Sequence, residues 1–508
     1  MASDSDIPAG APPEAGAGCE LGPIEGQAQD VAAGAALLKE DYMQGAGTLR
    51  RALSLFYVYI IATGAIFTFM GYWDGWFLTA CGPFTFLAFG ILTIAVLPIA
   101  MVYAEWAAMA PSCGVELVYG TLGLNKHFGF ISTWLILAAW LAVPPAGMMG
   151  IVQWVNWQLN LNLSIGWIAF ISCVLLAIIT AVSLYNIELA GQVQTFMLIF
   201  AFTICIIVGI VYLTSADWSF SNFKPFIHTG LGGGNMTYGV ILGVALLITP
   251  YFGFEIVPNM VEEGTFPIKR MNRAILGCVV TCGAMYVYYF FCLSGMNTWS
   301  TLTNNGGAKP FASLDAMAQI VPNSGGWAVW FWIIGFGLVV FPIGTCILGF
   351  WLSSVRMFYA MGRQNFLPKW FAKTNRYHQP IAPNVLILVL SIAAILTMNY
   401  SNFLQTFFCL MSFCVAACYA IISLASIVTA IRHPEWERPY KIPGGMPMRV
   451  ASLIISIAIA VLCALGQPGW YQLAEYLGVG FVLWMWMILS KWRKEKVWIE
   501  SPEGIKEF

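Results

Sequence analysis

The chain has 508 residues, of which 59% are apolar and 9% charged, and its formal net charge is −1. Soluble domains carry about 25% charged residues, so a soluble globular protein is excluded, and the near-zero charge leaves no electrostatic footprint for nucleic acid. Repeated apolar runs near the roughly 20 residues that cross a bilayer predict a polytopic α-helical membrane protein, with lipid as its surroundings.

In chain order, residues 1–48 are rich in alanine, glycine, proline and acids, with no basic stretch leading into an apolar one. That composition reads as a disordered cytoplasmic tail and not as a signal peptide. Twelve candidate spans follow, near residues 53–79, 84–110, 128–157, 165–185, 190–214, 237–261, 274–296, 327–358, 382–400, 403–431, 448–466 and 472–491. The loops 215–236 and 297–325 are the longest linkers. With the N-terminus placed inside, 21 of the 23 lysines and arginines fall on the inner side, against Lys224 and Lys309 outside. That asymmetry follows the positive-inside rule and places both termini in the cytoplasm. The 13 cysteines lie mostly in apolar spans, where they read as small hydrophobes and not as a disulfide framework. His127, His228, His378 and His433 are far apart in predicted loops, so neither a metal site nor a cofactor is expected.

Two spans carry interruptions. The first, LFYVYIIATGAIFTFMGYWDGWF, is long for one crossing and has Thr63-Gly64-Ala65 at its apolar centre. The sixth is interrupted at Pro250–Gly253, with Pro258 beyond and the carboxylate of Glu255 between apolar neighbours. Proline removes a backbone donor and clashes with the preceding turn, and glycine weakens a helix. In hydrocarbon, broken backbone survives only where protein or a water-filled cavity satisfies it, and an ionisable residue beside it marks a functional site. Exposed half-helix N–H groups hold a carboxylate, and exposed carbonyls an ammonium or a metal cation. Interruptions five spans apart point to an inverted-repeat transporter, against the blander reading that glycine and proline are common in membrane helices.

Several stretches carry a family resemblance. Gly253-Phe254-Glu255, followed by Glu263, Pro267 and Arg270, resembles the sixth helix of the amino acid–polyamine–organocation superfamily of transporters, its amino acid permeases and antiporters in particular. Thr63-Gly64-Ala65-Ile66-Phe67 resembles the first-helix break of that superfamily, and Glu105, Gly114 and Tyr119 its second helix and the loop beyond. Ser354, Arg356, Tyr359-Ala360-Met361, Arg363 and Leu367-Pro368 resemble the end of its eighth helix, and Pro439 to Gly444 the loop before its eleventh. The resemblance covers residues 50–450. It implies an all-α membrane protein of twelve transmembrane helices, with a 5+5 inverted-repeat (LeuT-type) core, discontinuous helices 1 and 6, and two extra helices. Residues 49–215 would form the first repeat, 216–432 the second, 433–491 the last two spans, and 492–508 a cytoplasmic C-terminal tail. It further implies a solute site at Thr63, Gly64, Ala65, Ile66, Thr249, Phe252, Gly253, Phe254 and Glu255, with Trp140 and Phe350 facing the solute.

The chain also departs from the family pattern. Ala65 stands where a second glycine is usual, and its methyl group narrows the approach of a carboxylate to the backbone. Aromatic faces around a carboxylate suit an organic cation, so an amine such as a polyamine, ethanolamine or a quaternary ammonium is the alternative to an amino acid. Glu255 is expected to meet the solute, carry a proton or hold the gate, unless it serves only to hydrogen-bond the broken backbone. Glu105 reads as a cap or ion-pair partner, and Asp74 as a vestibule residue at the outer mouth. Glu262 and Glu263 with Lys269, Arg270 and Arg273 read most simply as a solvated inner-loop charge cluster, with a gate latch as the alternative. Proton-coupled relatives place a lysine in the fifth helix, whereas this span has none and Ala201 falls near that position. Ser353 and Ser354 are the eighth-span hydroxyls available for a sodium ion, or for helix capping and packing. The reading is therefore a plasma-membrane carrier of an amino acid or amine that works by exchange, with a proton- or sodium-coupled amine permease as the alternative. A channel would want an unobstructed polar path. No H-E-x-x-H, G-x-S-x-G or P-loop pattern occurs, so an enzyme is not expected.

Overall fold

The computed structural model describes residues 49, 51–68, 70–185, 187–231, 235–307, 309–397, 403–466, 470–489 and 502. The expected tails, 1–48 and 492–508, lie outside these residues except for Pro502. One compact unit, Gly47–Phe508, holds everything described. Among the described residues the secondary structure is helical, apart from isolated bridges between Leu53 and Gly264 and between Thr374 and Pro380.

The first helices are α1 (Leu55–Ile66), α2 (Asp74–Cys81), α3 (Thr85–Met109), α4 (Val115–Gly123), α5 (Lys126–Gln158), α6 (Ile165–Ser183) and α7 (Ile187–Thr214). Next come α8 (Met236–Leu246), α9 (Ile256–Asn259), α10 (Met271–Ser294), α11 (Trp299–Thr303), α12 (Ala312–Ala318), α13 (Ala328–Gly335) and α14 (Phe341–Arg363). The last are α15 (Ile381–Thr397), α16 (Phe403–Arg432), α17 (Met446–Leu465) and α18 (Trp470–Leu489). Among the described residues nine helical stretches are long and apolar enough to cross a membrane, and Leu55–Ile66, Ile381–Thr397 and Leu473–Leu489 are shorter apolar helices. Helices α6, α7 and α18 turn Phe170, Ile178, Phe196, Ile199, Phe481 and Val482 outward. Large apolar side chains exposed in this way suit lipid and not water.

The sixth span is discontinuous. Helix α8 stops at Leu246, Thr249–Tyr251 forms a single 3₁₀ turn, Phe252 is extended, and helix resumes at Ile256. The first span differs from expectation in register. Thr63, Gly64 and Ala65 are not the gap but the last turn of α1, and the helix gives way at Phe67, whose φ and ψ are −78° and 59°. The physical reason is lateral support. A Cβ placed on Gly64 would lie 2.8 Å from the Cβ of Thr345, so α14 packs directly on this glycine and holds it in helix. Ser54 caps the other end of α1, its hydroxyl accepting from the Tyr57 N–H at 3.3 Å. Helix α1 lies among α7, α10 and α14, and the short α9 packs against α1, α10 and α14. Both interruptions thus sit inside the protein.

Candidate functional site

The two interrupted spans meet at three small residues. Gly253 has φ +132°, a backbone conformation that side chains rarely adopt. A Cβ built on it would lie 3.0 Å from the Ala65 Cβ and 3.1 Å from the Ile66 Cγ1. A Cβ built on Gly349 of α14 would also lie 3.0 Å from the Ala65 methyl. Ala65 is therefore held between two glycines.

The end of α1 leaves carbonyls without helical partners, and neighbouring groups take them up. Thr63 O accepts from the Phe67 N–H at 2.8 Å and from Cys282 Sγ at 3.5 Å. Gly64 O accepts from Thr345 Oγ1 at 3.1 Å, and Ala65 O from Thr68 Oγ1 at 2.9 Å. Ile66 O accepts from the Tyr286 hydroxyl at 2.5 Å. Side chains of α10 and α14 therefore stabilise the broken backbone, as an apolar surrounding requires.

Glu255 stands at the restart of the sixth span and is fully buried. Its Oε1 accepts from Trp140 Nε1 at 3.1 Å, and its Oε2 from the Tyr419 hydroxyl at 3.1 Å and the Gly253 N–H at 2.9 Å. Three donors thus converge on a carboxyl group that has left water. The ring of Tyr419 lies 5.3 Å from that of Phe254 and 6.3 Å from that of Phe252, and the Phe254 ring lies 5.4 Å from that of Tyr103. The site thus pairs a buried carboxyl group with aromatic faces.

The remaining sequence-predicted residues fall into place around this centre or away from it. The Thr63 hydroxyl bonds the Tyr59 carbonyl of its own helix at 2.6 Å. Thr249 Oγ1 lies 2.6 Å from Ser412 Oγ on α16 and donates to Leu246 O at 2.8 Å. Phe350 is buried on α14, next to the Gly349 that meets Ala65. Ser353 and Ser354 turn their hydroxyls back to Gly349 O (3.0 Å) and Phe350 O (2.8 Å), so they do not reach α1. The α14 hydroxyl that does reach an α1 carbonyl is Thr345, whose own carbonyl accepts from Gln194 Nε2 of α7 at 3.0 Å. Sequence reasoning missed Thr345, Tyr286 and Tyr419. Tyr419 had a signal, being a lone tyrosine in an apolar span. Thr345 had none that set it apart from the two serines.

Polar contacts surround the site on two sides. At the start of α1, Glu263 forms a forked pair with Arg356 of α14, Nε to Oε2 at 2.9 Å and Nη2 to Oε1 at 2.8 Å, both side chains buried. The Glu263 carbonyl also accepts the N–H groups of Ala52 and Leu53 at 2.9 Å. Glu262 pairs with Arg363 and accepts from Ser112 Oγ and the Cys113 N–H. Desolvation works against the Glu262 carboxylate, but Arg363 and the Cys113 N–H outweigh it and hold its pKa below the ordinary value. Asn259 ties the Gly114 N–H (2.8 Å) to the Ser353 carbonyl (3.0 Å). The expected solvated cluster of Glu262 and Glu263 with Lys269, Arg270 and Arg273 is therefore corrected. Their partners are arginines 101 and 93 residues downstream, because α14 brings its guanidinium groups into the buried interface.

Asp74, beyond the first break, is likewise buried and not in an open vestibule. Its carboxylate accepts the N–H groups of Gly75 (2.7 Å), Ala312 (3.1 Å) and Ser313 (3.1 Å) and the Tyr289 hydroxyl (3.2 Å). It thereby ties α2 to the start of α12 and to α10. Glu105 is an ion-pair partner, bound by Arg449 at 2.6 and 2.7 Å. Among the described residues no group of three or more His, Cys, Asp or Glu side chains is placed to hold a metal.

A family model described as amino acid permease matches residues 53–489. Similar proteins include the methylthioribose transporter of Bacillus subtilis, 26% identical across 80% of this chain and 86% of that protein. The branched-chain amino acid permease BcaP of the same organism is 24% identical across 87% of this chain and 93% of its own length. Its probable threonine/serine transporter YbxG is 23% identical across 69% and 74% of the two chains. These three are named as transporters or permeases, and none as an enzyme.

Proposed function

The chain belongs to the amino acid permease family, and from that premise we propose that it is a multi-pass plasma-membrane carrier moving an amino acid or related amine by alternating access. One observation carries the reading: two interrupted helices pack against each other beside the buried carboxylate of Glu255. The solute binds between the breaks, its amino group toward Glu255 and the rings of Trp140, Phe252, Phe254 and Tyr419. Twelve spans are arranged as repeats 49–215 and 216–432, followed by 433–491, and the repeats rock about the site. The Glu263–Arg356 side faces the cytoplasm and the Asp74 side faces out, an orientation that the positive-inside count supports. Exchange is the proposed mode, because the fifth span carries no lysine and the Ser353 and Ser354 hydroxyls bond their own helix. The solutes named for the relatives make small neutral amino acids the first to test.

The test is counterflow in proteoliposomes loaded with unlabelled leucine, serine, threonine or putrescine. Saturable uptake of the matching labelled solute supports a carrier, and efflux should be several-fold faster with solute outside than into empty buffer. Ohmic single-channel currents without saturation would replace the carrier with a channel. Ala65→Gly removes the methyl group held between Gly253 and Gly349 and opens the backbone to a carboxylate. Its preference, measured by competition between serine and ethanolamine, should shift toward serine. An unchanged ratio would defeat the argument from close approach.

A further inference from the structure

A groove of about 570 Å³ lies between the turn that follows α14 and the first half of α15, and none of its lining residues belongs to the site around Glu255. Trp370, Phe371 and Lys373 line it from the turn, and Ile381, Val385 and Val389 from α15. The turn is a 3₁₀ segment, Lys369–Ala372, seated on α14: a Cβ placed on Gly362 would lie 2.9 Å from both the Phe371 Cβ and the Ala372 N. The connector to α15 is fixed by its own hydrogen bonds. Asn375 Oδ1 accepts the N–H groups of Tyr377 (2.8 Å) and Gln379 (3.0 Å), and the Asn375 N–H donates to the Gln379 carbonyl at 2.9 Å. Phe371 is buried, whereas Trp370, Ile381, Val385 and Val389 are 48–56% exposed. The groove is therefore pre-formed and open, and it falls within the range of about 300–1,000 Å³ that ligand clefts occupy.

The lining fixes what the groove can hold. Ile381, Val385 and Val389 recur every four residues, so they form one stripe along α15. Eight residues of helix rise about 12 Å, and an exposed apolar stripe of that length suits an acyl chain. Lys373 brings an ammonium to the groove, and the described residues provide no ion-pair partner for it. Lys369 and Arg376, both exposed, stand close by in the chain. No Asp or Glu occurs from Ala316 to Pro434, so the formal charges of this segment are all positive. The Trp370 indole, half-exposed beside Lys369, is of the amphipathic kind that settles at a membrane–water interface. A cation, an interfacial ring and an apolar stripe leading into the span match the phosphate, glycerol and acyl chain of a phospholipid.

We propose that this groove binds one anionic phospholipid of the inner leaflet. The lipid phosphate meets the Lys373 ammonium, Lys369 and Arg376 add to the local positive potential, and one acyl chain lies along Ile381, Val385 and Val389. A zwitterionic lipid fits the stripe equally well but brings no net charge to the cations, so the headgroup decides the choice. Only the leaflet rests on the orientation proposed above. The site also adjoins the pairs Glu262–Arg363 and Glu263–Arg356, which latch this side of the protein. Phe371 lines the groove and packs on Gly362, the residue before Arg363. A bound lipid therefore braces the turn against the helix that carries both arginines, and it stabilises the folded protein by mass action.

The test needs no solute. The full-length protein, purified in a mild detergent, is titrated with dioleoylphosphatidylglycerol or dioleoylphosphatidylcholine. Native mass spectra should show the first phosphatidylglycerol bound about fivefold more tightly than phosphatidylcholine, the worth of one lysine near an anionic surface. Its binding should also raise the melting temperature. Lys373→Gln should bring the two lipids to the same affinity, and Lys373→Arg should keep the preference. Val385→Trp fills the groove and should weaken both lipids several-fold, with its melting temperature in the absence of lipid showing whether it folds. Val389→Gln, at an exposed position, makes the same test if it does not. Equal affinities in the unaltered protein, or a preference that survives Lys373→Gln, overturn the site. Undiminished binding in a folded Val385→Trp or Val389→Gln overturns the groove as the place of the chain. Stabilisation by inorganic phosphate or glycerophosphoglycerol equal to that by the intact lipid overturns the lipid in favour of a free anion. Loss of counterflow with the lipid preference intact counts against the carrier and leaves this site standing.

Discussion

Counterflow in Glu255→Gln should fall by about one to two orders of magnitude while the protein stays folded. The carboxylate accepts from Trp140, Tyr419 and Gly253 at 2.9–3.1 Å. Glutamine keeps one acceptor oxygen and puts an NH2 group in place of the other. If the oxygen serves Gly253 and Tyr419, the NH2 faces the Trp140 N–H, donor to donor. Losing one hydrogen bond to a charged group costs about 1.5–3 kcal/mol, or about ten- to a hundredfold in rate at 1.4 kcal/mol per decade. The missing charge also removes the counter-ion for an amine. Trp140→Phe deletes the same indole bond without touching the charge and should lose less. Melting temperatures of both variants show whether folding is intact. Counterflow within a few-fold of the unaltered protein would take Glu255 out of the mechanism.

Arg356→Met should destabilise the protein by about 3–5 kcal/mol, since it leaves the fully buried Glu263 carboxylate without a counter-charge. The damage lies in the orphaned charge and not in the loss of a favourable pair. Adding Glu263→Leu to Arg356→Met should therefore recover most of the loss, because apolar replacement of a whole buried pair is often nearly neutral. Denaturation of the two single variants and the double variant yields the coupling energy directly. A single-variant loss below about 1 kcal/mol would show that the pair is hydrated and does not close this side of the site. The recovered double variant also separates stability from gating. If the latch shapes the closed state, that variant should fold well yet leak solute down a gradient faster than the unaltered protein.

The sixth-span gap could be read from the chain because Pro250 and Gly253 act on their own backbone. The same logic misplaced the first gap by a few residues. Gly64 weakens a helix locally, but Thr345, 281 residues away, packs on it and keeps it helical. Hydroxyl groups on the eighth span were legible as a kind and not as an individual. Ser353 and Ser354 bond their own helix, and which face of α14 meets α1 depends on packing. Glu262 and Glu263 were seen as charged neighbours of Lys269, Arg270 and Arg273, because proximity along the chain was the one available guide. Glu116 was passed over altogether. One acid in an amphipathic short helix carries no mark of burial until α5 and α16 close over it.

Sequence alone determined that this protein lives in a bilayer, that its sixth span is broken, and that an acid sits beside the break. Those properties come from hydrophobicity and from backbone preferences, which act within a few residues. Tertiary structure decided the rest: that Ala65 fits between Gly253 and Gly349, that Tyr419 and Trp140 hold Glu255, and that α14 supplies the arginines of the latch. Each of these is a meeting of groups tens to hundreds of residues apart. In an interior without water a buried donor or acceptor is costly unless it finds such a partner, and folding decides which partners meet.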